Sequence, residues 1–377
     1  MKFVHLSDLH LGKRVNEFSM IEDQKYILTK IINIIDLVKP DGILVAGDVY
    51  DRSVPSEDAM QLWDEFLIKI AKRNIPVFAI SGNHDSAVRF SDHNKLVENA
   101  GIYLSPVYEG NVTPITLEDS EGKLNIYMLP FVKPVIVKQY FKDEMIEDYT
   151  DACRVAIKQM NVNTSERNIL VAHQFVLGAN TCESEEHTVG GLDNVSVDVF
   201  DDFDYVALGH IHGKQSISRE TVRYSGTPLK YSFSEKNHNK SVTIVEFGKK
   251  GEVSITEEPL IPKHDLREIK GTYEEVTCKK NYEGTDLDDY VHIILTDEED
   301  IPDAISKLRV IYPNIMKLSY DNKRTRENKV ISNVENVEKK EPIELFEEFY
   351  ELQNNRPMSE EQRVFSLELI NSIWGNE

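Results

Sequence analysis

The sequence predicts an α/β fold in which a layered β-sheet core is flanked by helices, with a small α/β capping domain and a C-terminal helical tail. Two observations lead there. Apolar strand-like runs alternate with helical stretches from the first residues onward, the rhythm of a sheet covered by helices. Five short polar clusters each sit directly behind such a run: Asp8-Leu9-His10, Gly47-Asp48, Gly82-Asn83-His84-Asp85, Ala172-His173 and Gly209-His210-Ile211-His212. In an open α/β sheet the loops at strand ends gather in one crevice, so clusters far apart in the chain are expected to meet.

A strand over Lys2–Leu6 leads to a helix over Met20–Val38 and a strand over Gly42–Ala46. A helix near Ser56–Lys72 and a strand at Pro76–Ile80 continue the repeat, and Pro55, Ser56 and Asp58 suit a helix start. After Gly101 come short strands such as Leu124–Leu129, then an amphipathic stretch over Asp151–Met160. Ile169–Ala172 and Tyr205–Leu208 have buried-strand character, and Val222–Tyr224, Ser241–Phe247 and Glu252–Thr256 form a β-rich closing section. Pro259 and Pro262 mark the end of a first domain, residues 1–262.

Strands at Leu266–Lys270, Tyr290–Leu295 and Ile315–Ser319, with a helix near Ile301–Val310, make a second domain over residues 263–320. Asp321–Lys340 is polar and aperiodic, as expected of a linker. The tail, residues 341–377, reads as two helices, Pro342–Leu352 and Ser359–Trp374. Pro342 suits a first helical turn, and Ser359 with Gln362 suits a capping box. Leu345, Phe346, Phe349, Phe365, Ile373 and Trp374 give this tail more apolar surface than two helices hide between themselves. The preceding linker favours a partner groove as its cover over the protein's own core.

Composition narrows the function classes. A hydrophobic share of 40% and a charged share of 29% describe a soluble globular chain. A net charge of −22 argues against bulk electrostatics as a way of holding nucleic acid, so a polyanionic substrate needs local cations, bound metal ions or a partner protein. Cys153, Cys182 and Cys278 are far apart and lack C-x-x-C pairing, which argues against disulfides and a thiolate zinc site. No apolar run reaches membrane-spanning length, and His5, Asp8 and His10 interrupt the start where a signal peptide needs its hydrophobic region, so a cytoplasmic location is expected. There is no G-x-x-x-x-G-K-[ST] loop, so any ATP dependence must come from another chain.

Each cluster has chemistry to offer. Asp8 and His10, one residue apart, can point the same way in extended backbone, as can His210 and His212. Gly47 before Asp48 allows close approach to a ligand, and that carboxylate can bridge two cations. Asp8, His10, Asp48, Asn83, His173, His210 and His212 supply nitrogen and oxygen donors without a thiolate. That mixture suits Mn²⁺, with Fe²⁺ and Zn²⁺ compatible and Mg²⁺ less natural beside so many imidazoles. Two cations about 3.5–4 Å apart stabilise in-line attack at phosphorus, and His84, oriented by Asp85, is the expected proton donor to the departing oxygen. His5, His93, His187, His238, His264 and His292 lack a convergent pattern, and Lys323, Arg324 and Arg326 read as solvated linker charges.

In this order the clusters resemble the calcineurin-like metallophosphoesterase superfamily, whose pattern D-x-H, G-D, G-N-H-D/E, H and G-H-x-H is matched at every element from Lys2 to about Phe247. Leu6-Ser7-Asp8-Leu9-His10-Leu11-Gly12, Gly47-Asp48-Val49-Tyr50-Asp51-Arg52, Tyr224-Ser225-Gly226-Thr227-Pro228-Leu229 and Ser232-Phe233-Ser234-Glu235 look in particular like its SbcD branch, the nuclease components of SbcCD complexes. The resemblance implies a metallophosphoesterase β-sandwich flanked by helices. It implies one metal held by Asp8, His10, Asp48 and His212, another held by Asp48, Asn83, His173 and His210, and His84 as the catalytic histidine. Asp51 stands where archaeal and eukaryotic relatives carry a second active-site histidine.

By the same likeness the chain is a Mn-dependent nuclease, an exonuclease on double-stranded DNA ends and an endonuclease on single strands or hairpins. Its partner is an SbcC-type ATPase bound through the C-terminal helices, and a homodimer sits within a heterotetramer. Two rivals use the same residues. A metallophosphodiesterase of small molecules or phosphoproteins could share the scaffold, since fold and ligands do not choose the substrate. A non-catalytic scaffold that only recruits an ATPase is the other.

Overall fold

The structure is a computed structural model that describes residues 1–92, 94–185, 193–328, 342–354 and 358–374. These fall into two compact units, Met1–Asp265 and Leu266–Glu377. The first opens with β1 (Lys2–Leu6), α1 (Ile21–Val38), β2 (Gly42–Ala46), α2 (Glu57–Ala71), β3 (Val77–Ile80) and β4 (Ile102–Leu104). A hairpin of β5 (Ile115–Asp119) and β6 (Gly122–Leu129) follows, then α3 (Tyr149–Gln159), β7 (Arg167–His173) and β8 (Tyr205–Gly209). β9 (Gln215–Ile217), β10 (Arg219–Tyr224), β11 (Ser241–Phe247) and β12 (Val253–Pro259) complete it.

These strands make two six-stranded sheets, in the orders β12-β11-β1-β2-β3-β4 and β9-β10-β8-β7-β6-β5. Parallel pairing runs through β1, β2, β3 and β4 in the first and through β6, β7, β8 and β10 in the second. The outer hairpins pair antiparallel. Side chains alternate along a strand, so each sheet has two apolar faces to cover. Phe3, Leu44, Phe78 and Ile80 of the first sheet pack against Ile126, Ile169, Val171 and Ala207 of the second in one core cluster, which makes the unit a β-sandwich. On its other face the second sheet buries Leu170, Ala172, Val206 and Leu208 with Ala152, Cys153 and Ala156 of α3. The crossover helices α1 and α2 bury Ile27, Ile31, Ile35, Trp63 and Phe66. As expected, Ser56 caps α2, its hydroxyl accepting from the Ala59 N–H at 3.3 Å.

The second unit holds β13 (Leu266–Gly271), β14 (Tyr290–Leu295) and β15 (Ile315–Tyr320), all parallel, around Val276, Val291, Ile293, Leu295, Leu308, Tyr312 and Ile315. One sequence expectation changes here. Part of the segment read as a linker is helical, α4 (Lys323–Asn328). Asn322 caps it by accepting from the Thr325 N–H at 3.1 Å, and Arg324 and Arg326 pair with Asp300 and Asp321 instead of standing free in solvent. The rest of the expected linker lies outside the described residues. The tail forms α5 (Pro342–Asn354) and α6 (Glu360–Trp374), and Ser359 and Gln362 exchange the two hydrogen bonds of a capping box.

The two sheets approach closely where β8 ends. A Cβ added to Gly209 would collide with the Ala46 carbonyl oxygen of β2 and lie 2.8 Å from the His173 ring. Gly209→Ala should therefore force the two sheets apart and cost about 1–3 kcal/mol of unfolding free energy, a typical overpacking penalty, readable as a lower urea midpoint. An unchanged midpoint would contradict this close approach.

Candidate metal centre

The clusters converge because the loops behind β1 and β2 run side by side. The Asp8 N–H donates to the Gly47 carbonyl at 3.0 Å, His10 to Asp48 at 2.9 Å and Leu11 to Val49 at 2.9 Å. Asp8, His10 and Asp48 adopt positive φ angles of 52°, 44° and 48°, and His210 adopts 102°. Residues with side chains disfavour this region, and such strain concentrates at functional sites. The backbone here differs from the sequence expectation. Neither Asp8–His10 nor His210–His212 converges through extended backbone; left-handed turns aim these side chains, with Ile211 buried in the core between the two histidines.

Asp48 sits at the middle. Its Oδ2 lies 3.2 Å from His173 Nε2, 3.8 Å from His10 Nε2 and 4.0 Å from His84 Nε2, while its Oδ1 accepts from the His84 N–H at 2.9 Å. On one side Asn83 Oδ1 is 2.9 Å from both His173 Nε2 and His210 Nδ1. On the other, His10 Nε2 and His212 Nε2 stand 3.1 Å apart. Asp8 Oδ1 accepts from the His210 N–H at 2.9 Å. Asp8 Oδ2 is buried without a hydrogen-bond partner among the described residues. The donor atoms of Asp8, His10 and His212 fall within 4.8 Å of one another, as do those of Asp8, Asp48 and His173. All seven residues expected to be ligands, with His84, are thus brought to one crevice.

The donors fit divalent cations. His173 Nδ1 faces the Ala46 carbonyl at 2.8 Å and must give its proton there, which leaves Nε2 aimed at two oxygens that can only accept. Electron pairs converging in this way need positive charge between them, and a buried, tautomer-fixed imidazole beside a carboxylate is a good metal ligand.

One expected role is not met. Asp85 does not orient the His84 ring: its carboxylate accepts from the backbone N–H groups of Val49 at 3.2 Å, Tyr50 at 2.9 Å and Gly82 at 2.9 Å. Only the Gly82 amide belongs to the turn of Asp85; those of Val49 and Tyr50 come from the loop behind β2, and together the three donors take up the carboxylate. The Asp51 carbonyl holds the His84 ring instead, 2.9 Å from Nδ1. The Asp51 carboxylate pairs with Lys13 at 2.8 Å and lies 3.7 Å from His10 Nδ1.

A supporting layer escaped the sequence reading. Gln24 donates to the His10 carbonyl at 2.7 Å, and the Tyr231 hydroxyl donates to the Leu9 carbonyl at 2.6 Å. Behind His212 stand Ser184, Glu185, Glu235 and Lys240. Nothing in the local pattern marks Glu235 as buried, and only its long-range partners reveal it.

Residues 1–214 match the calcineurin-like phosphoesterase family. A Staphylococcus epidermidis protein, named as the SbcD component of the nuclease SbcCD, is 36% identical over 381 residues, covering 100% of both chains. The chain belongs to the SbcD family of calcineurin-like phosphoesterases. A Staphylococcus saprophyticus protein of the same name is 35% identical over 323 residues, covering 85% of this chain and 84% of that one. Residues 262–354 of this SbcD-family chain match a type 5 capsule protein repressor C-terminal domain. A solved dimetal phosphatase from Danio rerio overlays at a TM-score of 0.42 with 11% identity, covering 69% of this chain and 96% of that one.

The electrostatics of this SbcD-family site follow from its burial. Burial opposes charge on His173, but the Asp48 carboxylate beside it prevails and raises its pKa to about 9. Burial would likewise raise Asp48; His173, with His10 and His84, reverses that and holds it far below the usual carboxylate range. Burial lowers His210 to about 3 and pushes His10 well down, so both are neutral and ready to bind a cation. Burial lifts Asp8 to about 6.

A divalent ion that took His173 as a ligand at neutral pH would have to displace its proton. Apparent affinity for Mn²⁺ should rise about tenfold per pH unit below pH 9, and more steeply below pH 6 where Asp8 also holds a proton. Calorimetry in buffers of different ionisation heat should register release of about one proton at pH 7.5. A buffer-independent heat would contradict it.

Proposed function

We propose that this chain is the Mn²⁺-dependent DNA nuclease component of an assembly with an SbcC-type ATPase, acting in DNA end processing, repair and recombination. It acts as an exonuclease on duplex ends and as an endonuclease on single strands and hairpins. The observation that carries the reading is Asp48, a buried carboxylate set between His10 and His173, two histidines of opposite sides of the cluster, with His84 beside it. Its support is full-length similarity to a protein named as the SbcD component of the nuclease SbcCD.

Two divalent ions held by Asp8, His10, Asp48, Asn83, His173, His210 and His212 would supply Lewis-acid activation and neutralise charge at phosphorus, and the imidazole-rich set favours Mn²⁺. The residues themselves do the rest. Asp48 keeps its negative charge buried at the midpoint. His173 is locked by the Ala46 carbonyl. His84 donates Nδ1–H to the Asp51 carbonyl, which turns Nε2 toward the crevice 4.0 Å from Asp48 Oδ2. Protonated there, Nε2 gives its proton to the departing oxygen, a step that contributes about 10²–10⁴-fold to rate.

The net charge of −22 makes a partner the natural source of the DNA-holding surface. The tail suits that partner: Phe349 is 57% exposed on α5 and Phe365 is 66% exposed on α6. Apolar faces of this kind are what a helix-binding groove covers. Within such an assembly the chain would act as a homodimer in a heterotetramer.

His84→Ala and Asp48→Ala should each lower Mn²⁺-dependent cleavage of linear duplex DNA at least about 10²-fold while leaving assembly with the ATPase intact. Unchanged cleavage would favour a scaffold. Turnover of a nitrophenyl phosphodiester with no cleavage of DNA would favour a small-molecule phosphodiesterase. Phe365→Asp should weaken ATPase binding at least about tenfold, measured by calorimetry, with nitrophenyl phosphodiester turnover of the free chain unchanged. Full-strength binding would remove the tail from the interface.

A further inference from the structure

Two residues from distant segments, Ser184 and Glu235, stand at the outer nitrogen of His212. Ser184 Oγ lies 2.8 Å from His212 Nδ1 and 2.6 Å from Glu235 Oε1. Glu235 is completely buried and its carboxylate is paired with the Lys240 ammonium 2.5 Å away. A carboxylate only accepts, so the Ser184 hydroxyl proton points to Glu235, and the serine oxygen is left to accept the proton on His212 Nδ1. The chain of donors then has one direction, from His212 through Ser184 to Glu235.

The consequence lies at the other nitrogen. With its proton committed to Nδ1, His212 presents a bare electron pair on Nε2, aimed into the crevice 3.1 Å from His10 Nε2. The backbone is fixed as well: the His212 N–H donates to Glu185 Oε1 at 2.6 Å, and its carbonyl accepts from Lys240 Nζ at 2.9 Å. Thr227 Oγ1, 3.3 Å from Glu235 Oε2, and the Tyr231 N–H, 3.1 Å from Glu235 Oε1, complete the carboxylate's shell. Lys240 meets Glu235, Thr227 and the His212 carbonyl together, so this cation is paired within the layer.

We propose that Ser184 and Glu235 are positioning residues for the ion on the Asp8–His10–His212 side of the centre, acting by fixing the His212 tautomer and ring. The proposal rests on the metal centre described above and goes beyond it by assigning a role to residues that touch neither the cation nor the substrate. Outer partners of metal-bound histidines typically contribute about 10–100-fold to metal affinity. A neutral imidazole whose Nδ1 proton has lost its acceptor divides between tautomers and ring orientations, and one tautomer points an N–H at the cation.

Ser184→Ala removes only the relay hydroxyl, and Glu235→Gln keeps the shape while removing the charge that orients it. In the full chain, Ser184→Ala should weaken binding of one of two Mn²⁺ ions about 10–100-fold by calorimetry and leave the other unchanged. At two equivalents of Mn²⁺ the wild-type protein should give the broadened electron paramagnetic resonance of a coupled pair, and the variant the six-line spectrum of an isolated ion. Ser184→Thr, which restores the hydroxyl, should restore the pair. The urea midpoint of metal-free Ser184→Ala should match wild type, which separates positioning from a packing role.

Two tight ions in both Ser184→Ala and Glu235→Gln would overturn the proposal. So would equal loss of both ions accompanied by a lowered urea midpoint. Should the wild-type chain bind no Mn²⁺ pair, the metal centre itself fails, a result distinct from a variant that binds as well as wild type.

Discussion

The close approach of two strand ends, β2 and β8, is the constraint on which the centre depends. Gly209 sits against the Ala46 carbonyl with no room for a side chain, and that carbonyl also receives the His173 ring. This contact ties the first sheet to the second where both present polar loops. Asp48 and Asn83 come from the first sheet, His173, His210 and His212 from the second. Were the sheets a little farther apart, the carboxylate and the imidazoles would address different volumes.

Burial then sets the chemistry. Asp8, His10, Asp48, His173 and His212 are all almost fully removed from water, and charges in such surroundings must find opposite charge or surrender it. Asp48 and His173 resolve this as a pair, while His10 and His210 do so by staying neutral. The same arrangement that makes the metal-free cluster uneasy makes it receptive to cations. Strain in the left-handed turns at Asp8, His10 and Asp48 is held in place by the amide ladder between the two loops, and that at His210 by its N–H bond to the Asp8 carboxylate.

Around this cluster lies a layer with no chemistry of its own. Asp85 holds amides of its own turn and of the loop behind β2, Asp51 holds His84 through its carbonyl, Gln24 and Tyr231 fix the loop of His10, and Ser184 with Glu235 faces His212. A precise centre needs such support, since ligands free to turn lose affinity and selectivity. The proposed division of labour with a partner fits the charge of the chain. An acidic protein can host phosphodiester chemistry when bound cations and a partner provide the attraction that its own surface lacks.

The order of elements and the identity of the polar clusters were legible in the sequence, because alternation of apolar runs reports sheets and helices directly and Asp, Asn and His rarely follow buried strands by accident. Caps such as Ser56 and Ser359 were legible too, since capping is local. Three things needed the tertiary structure. Asn322 starts a helix in what reads as plain linker, a matter of one side chain and its partners. Asp85 turns to backbone amides contributed by Val49 and Tyr50, more than thirty residues away, so its adjacency to His84 misleads. Glu235 meets His212 only through the folding together of segments whose sequence carries no sign of the contact. Sequence determines which groups stand at the ends of strands; how far apart two sheets sit, and which atom each group faces, is decided by packing between residues the chain keeps distant.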